Sequence, residues 1–252
     1  MNIKFLGTGT SSGIPEIGCG CEVCTSNNIK DRRLRASVLL NINGIKILID
    51  CGPDFRQQIL PEPFSPLDGI LLTHEHYDHV GGLDDLRIFS KLGKVHLYAN
   101  GITLDAIRRR MPYSFSENPY PGVPVFTMHE VDKRERFSIA GVQIIPIEVK
   151  HYKLPVLGYR VANFVYLTDV KTIPEEEYCK LEGVDVLVIN ALRKGEHMSH
   201  LSLYEALAII EKVSPKRAYL THISHDMGLH EEVEKELPEN VLIAYDGLEI
   251  KL

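Results

Sequence analysis

Thr73-His74-Glu75-His76-Tyr77-Asp78-His79-Val80-Gly81-Gly82 follows a short apolar run, Gly69-Ile70-Leu71-Leu72, of the kind that forms a buried strand. Four metal-competent side chains fall within six residues, and two glycines come after them. Buried imidazoles and carboxylates each require a partner, and a cation partners all of them at once. In an extended segment His74 and His76 point the same way. As the chain turns, Asp78 and His79 face a second position. The pattern therefore suits a pair of metals better than one. The competing reading, four unrelated polar side chains on a surface loop, leaves their density unexplained.

Working outward, other apolar strands also run out at isolated polar residues. His151 follows Ile147-Glu148-Val149, and Asp169 follows Phe164-Val165-Tyr166-Leu167-Thr168. Ala218-Tyr219-Leu220-Thr221-His222-Ile223-Ser224-His225 repeats the opening pattern of strand, Thr and paired His, a hint of an internal repeat. A carboxylate such as Asp169 is a usual bridge between two divalent cations. Near the N-terminus, Cys19, Cys21 and Cys24 are spaced C-x-C-x-x-C, which suits a tetrahedral cation one ligand short of complete. A structural zinc loop at about 18–25 is expected, in preference to a redox pair. Cys51 and Cys179 read as core residues.

Asn43-Gly44 between apolar segments 36–42 and 45–49 signals a hairpin. The Gly7–Gly13 loop has no P-loop Lys-Ser/Thr ending, so close backbone packing near a site is expected of it rather than phosphate binding. Helices are expected over 83–92, 104–110, 201–213 and 230–237. The Pro- and Tyr-rich stretch 111–124 reads as an ordered surface loop of unassigned role. The remaining strands alternate with these helices, and no Gly/Ser/Pro-rich linker divides the chain. One domain over 1–252 is expected.

The sequence has 252 residues, 44% hydrophobic and 25% charged, with a net charge of −6. Those values suit an ordinary globular protein with a core of its own. No basic block advertises a nucleic-acid surface, no apolar run approaches a membrane span, and no leader is apparent. A cytoplasmic location is the resulting expectation.

Taken together, the 73–82 segment with His151, Asp169 and His222 in that order resembles the metallo-β-lactamase superfamily. The resemblance implies an α/β fold, the αββα sandwich of two mixed sheets flanked by helices. It implies one metal on His74, His76, His151 and Asp169, and a second on Asp78, His79, Asp169 and His222. With the N-terminal cysteines and Thr221–His225, the chain further resembles the phosphodiesterase family accessory to carbon–phosphorus lyase, which hydrolyses phosphoribosyl 1,2-cyclic phosphate. By that resemblance Cys19, Cys21, Cys24 and His225 hold a structural zinc, His200 is the general acid, and a homodimer is expected. Asp78 and His200 are the expected catalytic side chains. The expected cofactors are two divalent ions (Mn or Zn, with Fe or Ni also compatible) and one structural Zn. The expected reaction is hydrolysis of a small, cyclic phosphodiester by a hydroxide bridging the metals. A nuclease of RNase Z type, a lactonase, a thioesterase or a non-catalytic binding relative are the alternatives. Asp50 and Thr73 are expected to orient ligand histidines, whereas His96, His129 and His230 carry no expected role. His197 is a substitute candidate for the acid.

Overall fold

A computed structural model describes all residues 1–252. Fourteen strands form two seven-stranded sheets. The first sheet contains β1 (Asn2–Gly7), β2 (Ser37–Ile42), β3 (Ile45–Ile49), β4 (Gly69–Leu71), β5 (Val95–Ala99), β6 (Phe126–Glu130) and the last strand, β14 (Glu249–Lys251). The second contains β7 (Phe137–Ile139), β8 (Val142–His151), β9 (Leu154–Val161), β10 (Phe164–Leu167), β11 (Val186–Asn190), β12 (Arg217–Thr221) and β13 (Val241–Ile243). Their spatial orders are β14-β1-β2-β3-β4-β5-β6 and β7-β8-β9-β10-β11-β12-β13.

Alternation along each strand explains the layers. Ile3, Phe5, Val38, Leu40, Ile47 and Ile49 face Tyr159, Phe164, Tyr166 and Val188 in a core between the sheets. The neighbouring Leu39 and Leu48 point the other way, into a core with Phe55, Leu86 and Leu104. On the far side Leu187, Ile189 and Leu220 pack against Leu203, Ala206 and Ile210. Because side chains alternate between faces and helices cover both outer faces, the strands read as nearly continuous apolar runs. The expected αββα sandwich is observed.

Both sheets run through the same sequence of pairings, three antiparallel and then three parallel. The repeat is thus real in topology, but its equivalences differ from those suggested by the Thr-His endings. Position for position, β3 matches β10 and β4 matches β11. Asp50 lies one residue beyond β3 and Asp169 two beyond β10, and both have positive φ, 61° and 56°.

Other expectations shift locally. The 83–92 segment is a 3-10 helix, Leu83–Lys91, rather than an α-helix. The helix at 203–213 begins two residues late because Ser202 caps it, its side chain accepting from the Glu205 N–H while Glu205 bonds back to the Ser202 N–H. Cys51 is fully buried as expected, but Cys179 is exposed. Its segment, Glu175–Leu181, is also a 3-10 helix. Its buried polar position goes to Glu177, whose carboxylate accepts from the Glu148 N–H at 3.0 Å and from Lys180 at 2.7 Å.

The hairpin turns through Asn43 (φ 54°) and Gly44 (φ 93°), as its sequence dictates. The Gly7–Gly13 loop is closely packed: a Cβ on Gly7 would run into the Arg35 carbonyl. A second tight approach lies under the 73–82 segment, where a Cβ on Gly52 would meet the Asp78 carbonyl. Gly52→Ala is therefore expected to cost about 1–3 kcal/mol of stability, measured by denaturant unfolding. An unchanged midpoint would show that the two segments separate freely.

Candidate metal centre

The polar residues singled out along the chain meet at one edge of the sandwich, where strands of both sheets end. Two bonds stitch the sheets there: the Leu157 N–H donates to the Thr73 carbonyl at 2.9 Å and the Tyr159 hydroxyl to the Leu72 carbonyl at 2.7 Å. Beyond that seam the chain turns at Thr73, and Tyr77–Val80 forms one helical turn. The turn brings the His79 ring to 4.3 Å from that of His74.

Asp169 lies at the centre. One of its oxygens, Oδ2, is 3.1 Å from His79 Nε2 and 3.4 Å from His222 Nε2; the other, Oδ1, is 4.0 Å from His74 Nε2 and 3.7 Å from His200 Nδ1. Asp78 Oδ2 is 3.1 Å from His79 Nε2 and 3.4 Å from His222 Nε2. Donor atoms of Asp78, His79, Asp169 and His222 all fall within 4.8 Å of one another, as do those of His74, His76 and Asp169. His151 joins a third such group, with Asp169 and His200. Its ring is 5.1 Å from that of His76 and 5.8 Å from that of His74. All seven expected positions thus converge. His200 falls among them as a further donor and not only as an outlying acid.

The orientation of these rings is fixed from behind. Asp50, fully buried, accepts from His79 Nδ1 at 2.7 Å, from the Thr73 N–H at 2.8 Å and from the Thr73 hydroxyl at 2.9 Å. Thr73 Oγ1 is 3.0 Å from His74 Nδ1. The Ser199 carbonyl lies 2.8 Å from His151 Nδ1, and the Thr168 hydroxyl donates to Asp169 at 2.7 Å. Asp50 and Thr73 therefore contact the histidines they are expected to orient. Thr168 and Ser199 are additions to that set. For Thr168 a sequence signal exists, since Thr precedes the polar residue in Thr73-His74, Thr168-Asp169 and Thr221-His222 alike. Nothing in the sequence points to a backbone carbonyl such as that of Ser199.

Electrostatics and burial agree on a cation. His74 and His79 are fully buried; His74 Nε2 has no hydrogen-bond partner, while His79 Nε2 faces one oxygen each of Asp78 and Asp169 at 3.1 Å. An orphaned buried nitrogen beside two carboxylates is unfavourable unless something positive sits among them. Burial, reinforced by His79, pushes His74 well below the ordinary imidazole range. Burial would also push His79 down, but Asp78, Asp169 and Asp50 hold it well above that range. Burial opposes ionisation of Asp169, yet His222 and His79 outweigh it and keep the carboxyl well below its usual range. The donor set is mixed imidazole and carboxylate, which suits divalent cations of the zinc, manganese, iron and nickel group.

A second cluster has the composition of a closed tetrahedral site. Sγ of Cys19, Cys21 and Cys24 lie 3.2, 3.5 and 3.4 Å from His225 Nδ1. The backbone N–H of Cys24 donates to the Cys21 sulfur and lowers that thiol to about 7, toward the thiolate that metals bind. His225 and His222 are joined by the short segment holding Ile223, whose backbone bonds the Thr8 carbonyl and the Thr10 N–H, each at 3.0 Å.

Residues 46–223 match the model of the beta-lactamase superfamily domain. The chain belongs to the metallo-β-lactamase superfamily. A solved structure described as a new diphosphatase from the PhnP family is 39% identical, with a TM-score of 0.91 over 100% of this chain and 97% of that one. Coenzyme PQQ synthesis protein B of Methylorubrum populi is 33% identical over the whole of both chains. An octanoyltransferase of Porphyromonas gingivalis is 44% identical over 99% of this chain, which spans 51% of that relative's length.

The buried Asp50 carboxylate supports His79 directly and His74 through Thr73. Asp50→Ala is expected to lower affinity for the divalent ion about 10–100-fold, measured by competition with a chromophoric chelator. Unchanged affinity would remove Asp50 from that role.

Proposed function

We propose that the protein hydrolyses a small phosphodiester or diphosphate with two divalent cations. The convergence of the fully buried His74 and His79 imidazoles and the Asp78 and Asp169 carboxylates on one point is the observation that carries this reading. In this reading His74, His76, His151 and Asp169 hold one ion, and Asp78, His79, Asp169 and His222 hold the other. Cys19, Cys21, Cys24 and His225 hold a structural zinc. When bound, the active-site pair supplies positive charge that polarises a phosphoryl group and acidifies a water.

The protein's own groups do the rest. Asp50, Thr73, Thr168 and Ser199 fix the imidazoles and carboxylate, so that little reorganisation accompanies reaction. In hydrolysis the water oxygen forms a new bond to phosphorus, and the bond to the leaving oxygen breaks with its electron pair. In a diester that oxygen departs as an alcohol and needs a proton, a contribution of about 10²–10⁴-fold. His200 is the proposed donor. Burial pushes its imidazole down, and the Asp169 carboxylate opposes that shift. The negative charge of a bound phosphodiester adds to that opposition and helps the ring carry the proton that it delivers. His76 and His151 are only partly buried, so this side of the cluster faces solvent.

Phosphoribosyl 1,2-cyclic phosphate is the specific substrate that the resemblance favours, and the diphosphatase neighbour extends the class to a P–O–P linkage. Hydrolysis of an acyl thioester is the second reading, drawn from the acyl-transfer name of the Porphyromonas relative. That name describes a longer protein, of which this chain spans 51%.

Phosphorus NMR tests the proposal with protein stripped of metal and after manganese or zinc is restored. Metal-dependent opening of a five-membered cyclic sugar phosphate to one monoester, or cleavage of a nucleoside diphosphate sugar to two monoesters, is expected. Inertness toward both by fully loaded protein that cleaves an octanoyl thioester would overturn it. His200→Ala is expected to slow the alkyl diester about 10²–10⁴-fold and a nitrophenyl diester much less, since nitrophenolate leaves without a proton. Equal slowing of both, or a loss of bound metal, would assign His200 to the ligands instead.

A further inference from the structure

A cavity of about 170 Å³ lies against the Tyr77, Val80 and Gly81 side of the turn that carries Asp78 and His79; none of the proposed ligands lines it, and it has no part in the proposed mechanism. It opens between the Tyr77–Val80 turn and the helix Gly101–Arg110, with Leu83 and Ile107 in its base and Tyr77, Arg110 and Tyr113 at its rim. Tyr77 stands between His76 and Asp78 in the chain, and the Arg110 guanidinium donates to the carbonyl of Glu75. The cavity is therefore tied to the segment that carries the proposed ligands.

Three properties define what it would take. Its volume is well below the roughly 300 Å³ at which sites for whole drug-sized molecules begin, so it suits one ring system. Its floor is apolar and buried, whereas its rim carries two tyrosine rings that are largely exposed: Tyr77 at 66% and Tyr113 at 43%. The Tyr77 ring lies against Gly81, where any Cβ would collide with it. The Tyr113 ring is held by its hydroxyl, which donates to Asp84 at 2.8 Å. Arg108, on the same helix, bonds Asp105 at 2.7 Å, whereas Arg110 has a carbonyl and no carboxylate as its partner. The Arg110 charge is free to meet an anion or to lie over a π-face.

We propose that this cavity is a specificity subsite for a planar heteroaromatic ring, such as a nucleobase, carried on one arm of the phosphoryl substrate. The inference rests on the phosphoryl-hydrolase reading only for where the phosphate sits. Tyr77 and Tyr113 supply the faces on which the ring stacks, and Arg110 supplies the positive edge.

Binding tests it separately from turnover. Adenosine 5′-monophosphate and ribose 5-phosphate share sugar and phosphate and differ in the ring, so their affinities for metal-loaded protein, measured by calorimetry, isolate the subsite. The ring-bearing ligand is expected to bind at least about tenfold tighter, in line with base–aromatic stacking. Tyr113→Ala and, separately, Tyr77→Ala should shrink that ratio several-fold, while Tyr113→Phe, which keeps the ring and loses only the bond to Asp84, should preserve most of it. A ratio near one in the unaltered protein, no binding of either ligand, or a ratio indifferent to both alanine variants overturns the inference. A ring-dependent ratio in protein that hydrolyses no phosphoryl substrate would instead leave the subsite standing and remove the hydrolytic reading.

Discussion

The structure turns on the repulsion and desolvation that gather at one edge of the sandwich. The carboxylates of Asp78 and Asp169 and the imidazoles of His74, His76, His79, His151, His200 and His222 converge there. His74 and His79 have no exposure to water, and His74 keeps a nitrogen that bonds nothing. A folded chain tolerates such a cluster when positive charge compensates it. The mixed donor set, the family and the convergence of donors on Asp169 all identify that compensation with divalent cations.

The rest of the fold serves this edge. Two sheets with the same order of pairings present their strand ends side by side, and Asp50 and Asp169 lie just beyond β3 and β10. Both, together with His222 (φ 55°), sit in the left-handed region, a conformation that costs non-glycine residues of order 1 kcal/mol each. The surrounding bonds hold them there: Asp50 to His79 and Thr73, and Asp169 to Thr168. The two carboxylates serve different ends: Asp169 faces the donor cluster and Asp50 supports its histidines from behind.

Much of the site is legible in the chain. Polar residues at the ends of apolar strands have no packing role, so His74, His76, Asp78, His79, His151, Asp169 and His222 stand out by residue type and position alone. The cysteine spacing is equally plain, and the distances place His225 as its fourth member. Less legible are features without a residue-type signature. A 3-10 and an α-helix share similar apolar spacing over a short segment, so the apolar pattern of Leu83–Lys91 does not separate the two. The helical pattern of Glu175–Leu181 suggests a core position for Cys179, whereas a salt-bridged Glu177 takes the buried place of that turn. Matching Thr-His endings hint at the repeat, but topology assigns the equivalence to different strands.

The sequence by itself determined which strands are covered on both faces, where they stop, and which donors lie at those stops, because side-chain alternation and the cost of burying polar groups are local rules. Only the tertiary structure decided which donors share a neighbourhood. His79 and His222 are far apart in the chain and their rings lie 5.6 Å apart; the His151 ring lies 4.5 Å from that of His200, nearer than the 5.1 Å to His76. The Tyr159 hydroxyl, the Ser199 carbonyl and the Tyr77–Arg110–Tyr113 rim likewise acquire their places from contacts between distant segments. Those contacts depend on how two sheets pack face to face, a geometry that no short stretch of sequence encodes.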